Sequence, residues 1–264
     1  MTTTAIASAG RSTPLSRPLL RFTAIALPAG WLFLGLPLFI DSPVEPFVLA
    51  TLFLGMVPAA LLLTRYSTDA TIGGLLRDSV RLPRPLALLL PALLMIPAAT
   101  WVVAAGLGVQ TELSNGFLTG LAVNVFSSVL IINLWEEMVW AGFVQRQALR
   151  RWGFIRSAIL TAMLFTGIHM PLVFYGADGT ADVLYNVGVM LVSGLGMRLL
   201  IGAFDQWGRG SILALALLHA SFNVSSELVD SDHDWVRYAV TLGLGLTVLL
   251  FPRIRRARAA GTDR

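Results

Sequence analysis

Eight long apolar runs constrain this chain more than any other feature of its sequence. Each run approaches the roughly 20 residues that a helix needs to cross a bilayer. The runs cover residues 19–40, 46–64, 85–108, 117–140, 154–175, 183–202, 210–228 and 235–252. Only 13% of the residues are charged, about half the share of an average soluble domain. The sequence therefore predicts an all-α, polytopic membrane helix bundle of about eight transmembrane helices.

The sequence predicts one membrane-embedded domain. We find no internal repeat and no linker that would divide the chain. Residues 1–18 are expected to form an N-terminal tail, and residues 253–264 a basic C-terminal tail. The embedded domain then covers residues 19–252, with a motif core at 117–228 that is described below. The first apolar run is too long for a signal peptide, so it is expected to remain in the protein.

The charges sort onto alternate loops. All 19 basic residues are arginine, and one side of the predicted bundle holds only Arg237. The other side is assigned Arg11, Arg17, Arg21, Arg65, Arg77, Arg81, Arg84, Arg146, Arg150, Arg151, Arg156, Arg198, Arg209, Arg253, Arg255, Arg256, Arg258 and Arg264. Cytoplasmic loops of membrane proteins are enriched in Lys and Arg. The pattern predicts a multi-pass protein of the cell (cytoplasmic) membrane with both termini cytoplasmic. Its basic charge fits an anionic lipid surface rather than nucleic acid.

A few polar side chains lie inside the apolar runs, where a charged residue costs about 2.5–3.5 kcal/mol on insertion scales. They are Asn133, Glu136, Glu137, His169, His219 and Asn223. The fourth and fifth runs are predicted to form a hairpin that turns near Trp152-Gly153. The two acids precede this turn by 15–16 residues and His169 follows it by 16. At about 1.5 Å per residue, all three lie roughly 24 Å from the turn.

Helical spacing indicates which of these side chains share a direction. His219 and Asn223 are four residues apart and share one helix face. Adjacent Glu136 and Glu137 point about 100° apart, so one is expected to face a reacting centre while the other braces a neighbouring helix. Asn133 is positioned to hydrogen-bond either acid. We expect Glu136, His169, His219 and Asn223 to line one cavity that opens toward the cytoplasmic side. The purely structural alternative is that these side chains form hydrogen bonds between helices.

Three sequence blocks carry a resemblance to a known family. They read Glu136-Glu137-Met-Val-Trp-Ala141, Phe165-Thr-Gly-Ile-His169 and His219-Ala-Ser-Phe-Asn223. In order and spacing they are similar to the E-E-x-x-x-R, F-x-x-x-H and H-x-x-x-N pattern of the CAAX prenyl protease and bacteriocin-processing (CPBP, Abi) family of intramembrane endopeptidases. The resemblance covers roughly residues 85–250.

One position departs from that pattern. Ala141 stands where the family has arginine, so the usual partner of the acidic pair is absent. Trp140 to Phe143 offer no cationic substitute, and Arg146 lies nearly two turns further on. If the site is a working variant, Ala141→Arg is expected to preserve or raise activity.

The resemblance implies hydrolysis of a peptide bond in a membrane-associated protein or peptide, and the residue chemistry supports it. Glu136 with His169 is expected to take a proton from water. His219 and Asn223 are expected to hold the developing oxyanion, and Glu137 to orient the site. No cofactor is expected; the alternative is one divalent metal, zinc, held by Glu136, His169 and His219.

Two further functions stay open at this point. One is an inactive membrane scaffold or immunity protein, which the loss of the motif arginine favours. The other is a proton-coupled transporter, in which buried acids and histidines relay protons. The absence of cysteine and lysine excludes thiolate chemistry and a lysine base.

Overall fold

The computed structural model describes residues 17–40, 42–67 and 70–251. Residues 1–16 of the predicted N-terminal tail, the basic C-terminal tail at 253–264 and Asp41 lie outside the described residues. Within the described ranges the chain is helical and contains no β-strand. The all-α fold class is therefore confirmed.

The main helices follow the predicted apolar runs closely. They are α1 (Arg17–Gly35, prolonged by Pro37–Ile40), α2 (Glu45–Thr64), α3 (Ile72–Val80), α4 (Leu89–Leu107), α5 (115–152), α6 (154–169), α7 (Thr180–Trp207), α8 (Ile212–Val224) and α9 (Trp235–Thr247). Most boundaries lie within a few residues of the prediction. The largest difference is at α5, which continues beyond residue 140 as far as residue 152, next to the turn at Gly153.

The chain reverses at Gly153, between α5 and α6. This glycine has φ 75° and ψ 179°, a left-handed conformation that glycine adopts without steric cost. The rings of Trp140 and Phe165 lie 5.4 Å apart, although 25 residues of straight helix would separate them by about 37 Å. The segment Asn115–Phe174 is therefore an antiparallel hairpin, as the break at Trp152-Gly153 predicts.

The helices have the length and surface of membrane spans. By length and composition, five segments of the described chain can cross a membrane: Arg17–Ile40, Glu45–Thr64, Leu86–Leu107, Asn115–Phe174 and Thr180–Trp207. The fourth of these contains the hairpin and so provides two crossings. The shorter apolar helices Ile212–Leu228 and Trp235–Thr247 complete the bundle. Large apolar side chains such as Phe39, Leu54 and Phe126 are exposed on its outside, which is the surface that lipid requires. The fold is a helical membrane bundle.

Helix α3 lies at the Arg-rich end of the bundle. Thr71 begins it, and its hydroxyl accepts a hydrogen bond from the Gly74 N–H. Leu75 is buried against the bundle, and Asp78 accepts from the Arg146 guanidinium at 2.7 Å. Arg146 also binds Asp205 of α7, at 2.6 and 3.0 Å. One half-buried arginine thus joins α3, α5 and α7 at this end.

Two glycines, Gly196 on α7 and Gly245 on α9, allow these helices to approach each other closely. A Cβ on Gly196 would lie 2.7 Å from the Cα and N atoms of Leu242. We expect Gly196→Ala to destabilise the protein by about 1–3 kcal/mol, because backbone atoms must move to admit the methyl group. Gly243→Ala on α9 is the matched control, since a Cβ there meets no atom within 4 Å. The free energy of unfolding of each variant is measured in detergent. Equal values for Gly196→Ala and Gly243→Ala would contradict the expectation.

Candidate active site

Four of the five predicted catalytic residues surround one cavity. Glu136 comes from α5, His169 from the end of α6, and His219 and Asn223 from α8. The cavity has a volume of about 270 Å³. Glu136 is 6% exposed and His219 is 5% exposed. The hairpin and α8 therefore bring together side chains that lie up to 87 positions apart in the sequence.

The cavity lies nearer the Arg-poor end of the bundle than the sequence predicts. Val48 lines it from the first turn of α2, and Leu172 from the turn that follows α6. Asn223 is the second-last residue of α8. These helix ends lead to loops rich in acidic residues and poor in arginine. The expected opening toward the Arg-rich, cytoplasmic side is not supported, because α8 is short and carries Asn223 at its far end.

Glu137 faces away from this cavity and is fully buried, with 0% exposure. Its two carboxylate oxygens accept hydrogen bonds from Nη2 and Nη1 of Arg198 at 2.7 and 3.0 Å. One of these oxygens also lies 2.7 Å from Nδ1 of His219. The 100° divergence of adjacent helical residues thus separates the acids as predicted: Glu136 lines the cavity and Glu137 braces its neighbours.

Arg198 is the buried partner of Glu137, which the sequence does not predict. It was assigned to the Arg-rich loops, but it lies inside α7 and is only 1% exposed. Its guanidinium stacks over the ring of Phe165 at 5.1 Å, and its carbonyl accepts from Nε2 of Gln145 at 2.8 Å. The sequence does contain one indication of this position, because the residues on both sides of Arg198 are apolar. A charge in such a position needs a buried partner.

Hydrogen bonds to acceptor atoms orient both histidine rings. Nδ1 of His169 lies 2.8 Å from the carbonyl oxygen of Phe165, one helical turn earlier. Nδ1 of His219 lies 2.7 Å from a Glu137 carboxylate oxygen. A carbonyl and a carboxylate only accept, so each Nδ1 carries a proton and donates it. The F-x-x-x-H spacing therefore gives His169 its own orienting carbonyl, and neither of these bonds uses Nε2.

The Glu136 carboxylate lies between the two imidazoles without touching either. One oxygen is 3.8 Å from Nε2 of His169, and the other is 3.7 Å from Nδ1 of His219. Both distances exceed those of a direct hydrogen bond. A water molecule beside the line that joins Glu136 to His169 can reach both atoms. The arrangement can hold and polarise a nucleophilic water.

Asn133 takes a different partner from the one predicted. Its side-chain oxygen accepts from the hydroxyl of Ser128 at 2.5 Å, and its side-chain nitrogen has no hydrogen-bond partner among the described residues. The reason is local, because residues Val129–Asn133 form a widened π-helical turn. In such a turn residues five apart stack along the helix. Asn133 is therefore tied to its own helix.

The side chains of the alternative zinc site are not grouped as metal ligands in the described residues. Within residues 17–40, 42–67 and 70–251, no three His, Asp or Glu side chains are grouped to hold a metal ion. The nitrogen of His219 that approaches Glu136 is Nδ1, and that atom already donates to Glu137. The contact between Glu136 and His219 therefore involves a ring nitrogen that is already engaged.

The fold and the cavity together define a polytopic membrane protein with a buried acid–histidine site. Residues 118–225 match the family model described as type II CAAX prenyl endopeptidase Rce1-like. The matched segment covers about two fifths of the chain and contains all three sequence blocks. The resemblance drawn from the motifs is confirmed, and it supports an intramembrane endopeptidase of the CAAX type in general. No curated protein matches the chain.

Proposed function

We propose that the protein is an intramembrane endopeptidase that hydrolyses a peptide bond of a membrane-associated protein or peptide, with Glu136 as the general base. One observation carries this proposal above the others. The buried Glu136 carboxylate lies 3.8 Å from the Nε2 of His169, beside a cavity that His219 and Asn223 also line. A base, a second proton acceptor and two groups suited to an oxyanion thus face the same space.

The first chemical step uses Glu136 and His169. A water molecule hydrogen-bonded to both attacks the carbonyl carbon of the substrate, and its proton passes to the Glu136 carboxylate. Nε2 of His169 accepts from the second hydrogen of the water and fixes its direction. The products of this step are a tetrahedral intermediate with a negative oxygen and a protonated Glu136.

The oxyanion falls to His219 and Asn223. The Asn223 amide group donates directly, and His219 donates from Nε2 when its ring is doubly protonated. Donors held in place before the reaction stabilise the developing charge more than mobile water does. In the second step the C–N bond breaks, and protonated Glu136 gives its proton to the leaving amine. The carboxylate is then restored for another turnover.

The lining of the cavity supports an apolar substrate segment. Apart from the reacting groups it presents mainly apolar side chains, namely Val48, Ile132, Phe165, Leu172, Met197 and Phe222. Moving an apolar segment from lipid into such a cavity costs little free energy, because its surface stays in apolar surroundings. The proposed location is the cell membrane, with the Arg-rich ends of the helices on the cytoplasmic side.

Purified protein in lipid nanodiscs tests the proposal with a library of lipid-anchored fluorogenic peptides. Half of the peptides carry a prenylated cysteine and half carry an acyl chain. Each peptide is assayed once with and once without a chelator. We expect cleavage of at least one class that persists in the chelator. Loss of cleavage on chelation, with recovery on adding zinc, would replace the glutamate mechanism with a metal-dependent one. A folded protein that cleaves no peptide would favour the scaffold.

A further inference from the structure

We infer that Arg198 supplies, from a different helix, the guanidinium that the family pattern places at position 141. On this view Arg198 is a positioning residue: it holds Glu137, and through Glu137 the ring of His219. The inference rests on the proposed function for its catalytic meaning. Its geometric content stands apart from that function and can be tested without it.

The contact has the geometry of a strong and specific ion pair. Two N–H groups of Arg198 meet the two oxygens of Glu137 at 2.7 and 3.0 Å. Such forked pairs fix orientation as well as charge, and lysine cannot reproduce them. With exposures of 1% and 0%, neither group can turn to water for compensation. Removing the arginine would leave a buried carboxylate whose remaining partner is His219.

Position 141 has little room for a long side chain in the present packing. Ala141 is 2% exposed and belongs to the same apolar cluster as Met197 and Leu199, which flank Arg198 on α7. The cavity that Ala141 lines has only about 10 Å³ of free space. Arg198 is among the largest fully buried side chains of the described residues. The chain thus combines a small residue at 141 with a large buried cation at 198, on a helix whose neighbouring residues pack in the cluster of Ala141.

Arg198 contacts two of the three sequence blocks and is linked to the third through Glu137. It binds Glu137 of the first block directly, and it stacks on Phe165 of the second at 5.1 Å. Through the shared Glu137 oxygen it is linked to His219 of the third. The side chain of Arg198 is thus placed to set the mutual position of the groups around the cavity. A motif arginine four residues after Glu137 would serve the same carboxylate from within α5.

Exchange of the arginine between the two positions tests this inference. Arg198→Ala is expected to lower kcat by about 100-fold, because a shift near 1 Å in a catalytic group has that effect. Ala141→Arg alone is also expected to lower activity, since it overfills the cluster and adds a second buried cation. The double variant Arg198→Ala with Ala141→Arg conserves charge and approximate volume. We expect it to recover kcat to within about tenfold of the parent protein.

A second readout does not depend on activity. The chain has three histidines, so ¹⁵N-histidine NMR can resolve the Nδ1–H proton that His219 donates to Glu137. We expect this signal to shift or broaden in Arg198→Ala and to return in the double variant. His233, in the loop before α9, provides the internal reference. Arg198→Lys keeps the charge without the fork and should give an intermediate signal even if Arg198→Ala fails to fold.

The outcomes separate this inference from the proposed function. Two results would overturn the role of Arg198. One is a kcat of the double variant that falls by the product of the two single losses. The other is a His219 Nδ1–H signal that stays unchanged in both Arg198→Ala and Arg198→Lys. If the parent protein cleaves no peptide but the His219 signal follows the exchange, the proposed function fails and the positioning role survives. Folding of the double variant where Arg198→Ala does not fold would support the exchange directly.

Discussion

Glu136→Gln is expected to lower kcat by about 100- to 10,000-fold while KM changes little, because this is the usual contribution of a positioned general base. Glutamine keeps the size of the side chain and still fills the space between His169 and His219. Its amide cannot take a proton from water, so only the chemical step is lost. Steady-state cleavage of the best peptide from the library measures both constants, and its binding to the variant shows that the cavity survives.

Glu227→Gln is the matched control for this prediction. Glu227 lies in the turn after α8, where it accepts a hydrogen bond from the Asn124 amide at 2.9 Å. It does not line the cavity that holds Glu136, so the same chemical change should leave kcat within about twofold of the parent value. Full cleavage by Glu136→Gln would refute the mechanism, whatever the chelator does.

The fold could be predicted from the sequence because lipid imposes simple requirements. A membrane helix must be long and apolar, so the runs at 19–40 and 85–108 are visible without any knowledge of their neighbours. The hairpin could be predicted as well, because Trp152-Gly153 breaks the chain between the apolar runs at 117–140 and 154–175. Counting residues from that break placed Glu136 and His169 at one depth, and the structure brings them to one cavity.

Arg198 could not be assigned in the same way. The sorting of arginines onto one side treats each of them as a loop residue, and a motif is read over neighbouring positions. The partner of Glu137 is 61 residues away in the sequence, and only the packing of α7 against the hairpin brings it close. The expected effect of Ala141→Arg is reversed for the same reason, because Arg198 already pairs with Glu137 and the space around Ala141 is small.

Two smaller errors come from irregular helix geometry. Depth along α5 was counted at 1.5 Å per residue, but the segments Val129–Asn133 and Met138–Gln145 are π-helical. Wide turns change which residues face one another, and they turned Asn133 toward Ser128. Similarly, the position of the cavity depends on α8 ending at Val224, a boundary that apolar composition alone does not reveal.

Asn223→Ala is expected to reduce kcat by about 100- to 1,000-fold, the cost of losing one oxyanion donor, with a smaller effect on KM. The residue is well held for this role, because the carbonyl groups of Phe222 and Asn223 both accept from Arg237 at 3.4 Å. Removing the amide should therefore leave α8 in place and weaken only the transition state.

Asn124→Ala makes the same chemical change on α5, at a residue bonded to Glu227 and outside the cavity of Glu136. Its kcat is expected to stay near the parent value. Asn223→Asp keeps the shape, removes the donor and adds negative charge beside the developing oxyanion, so its kcat should fall below that of Asn223→Ala. An Asn223→Asp variant as active as the parent would show that position 223 donates nothing to the oxyanion, and the charge would then have to be carried by His219 alone.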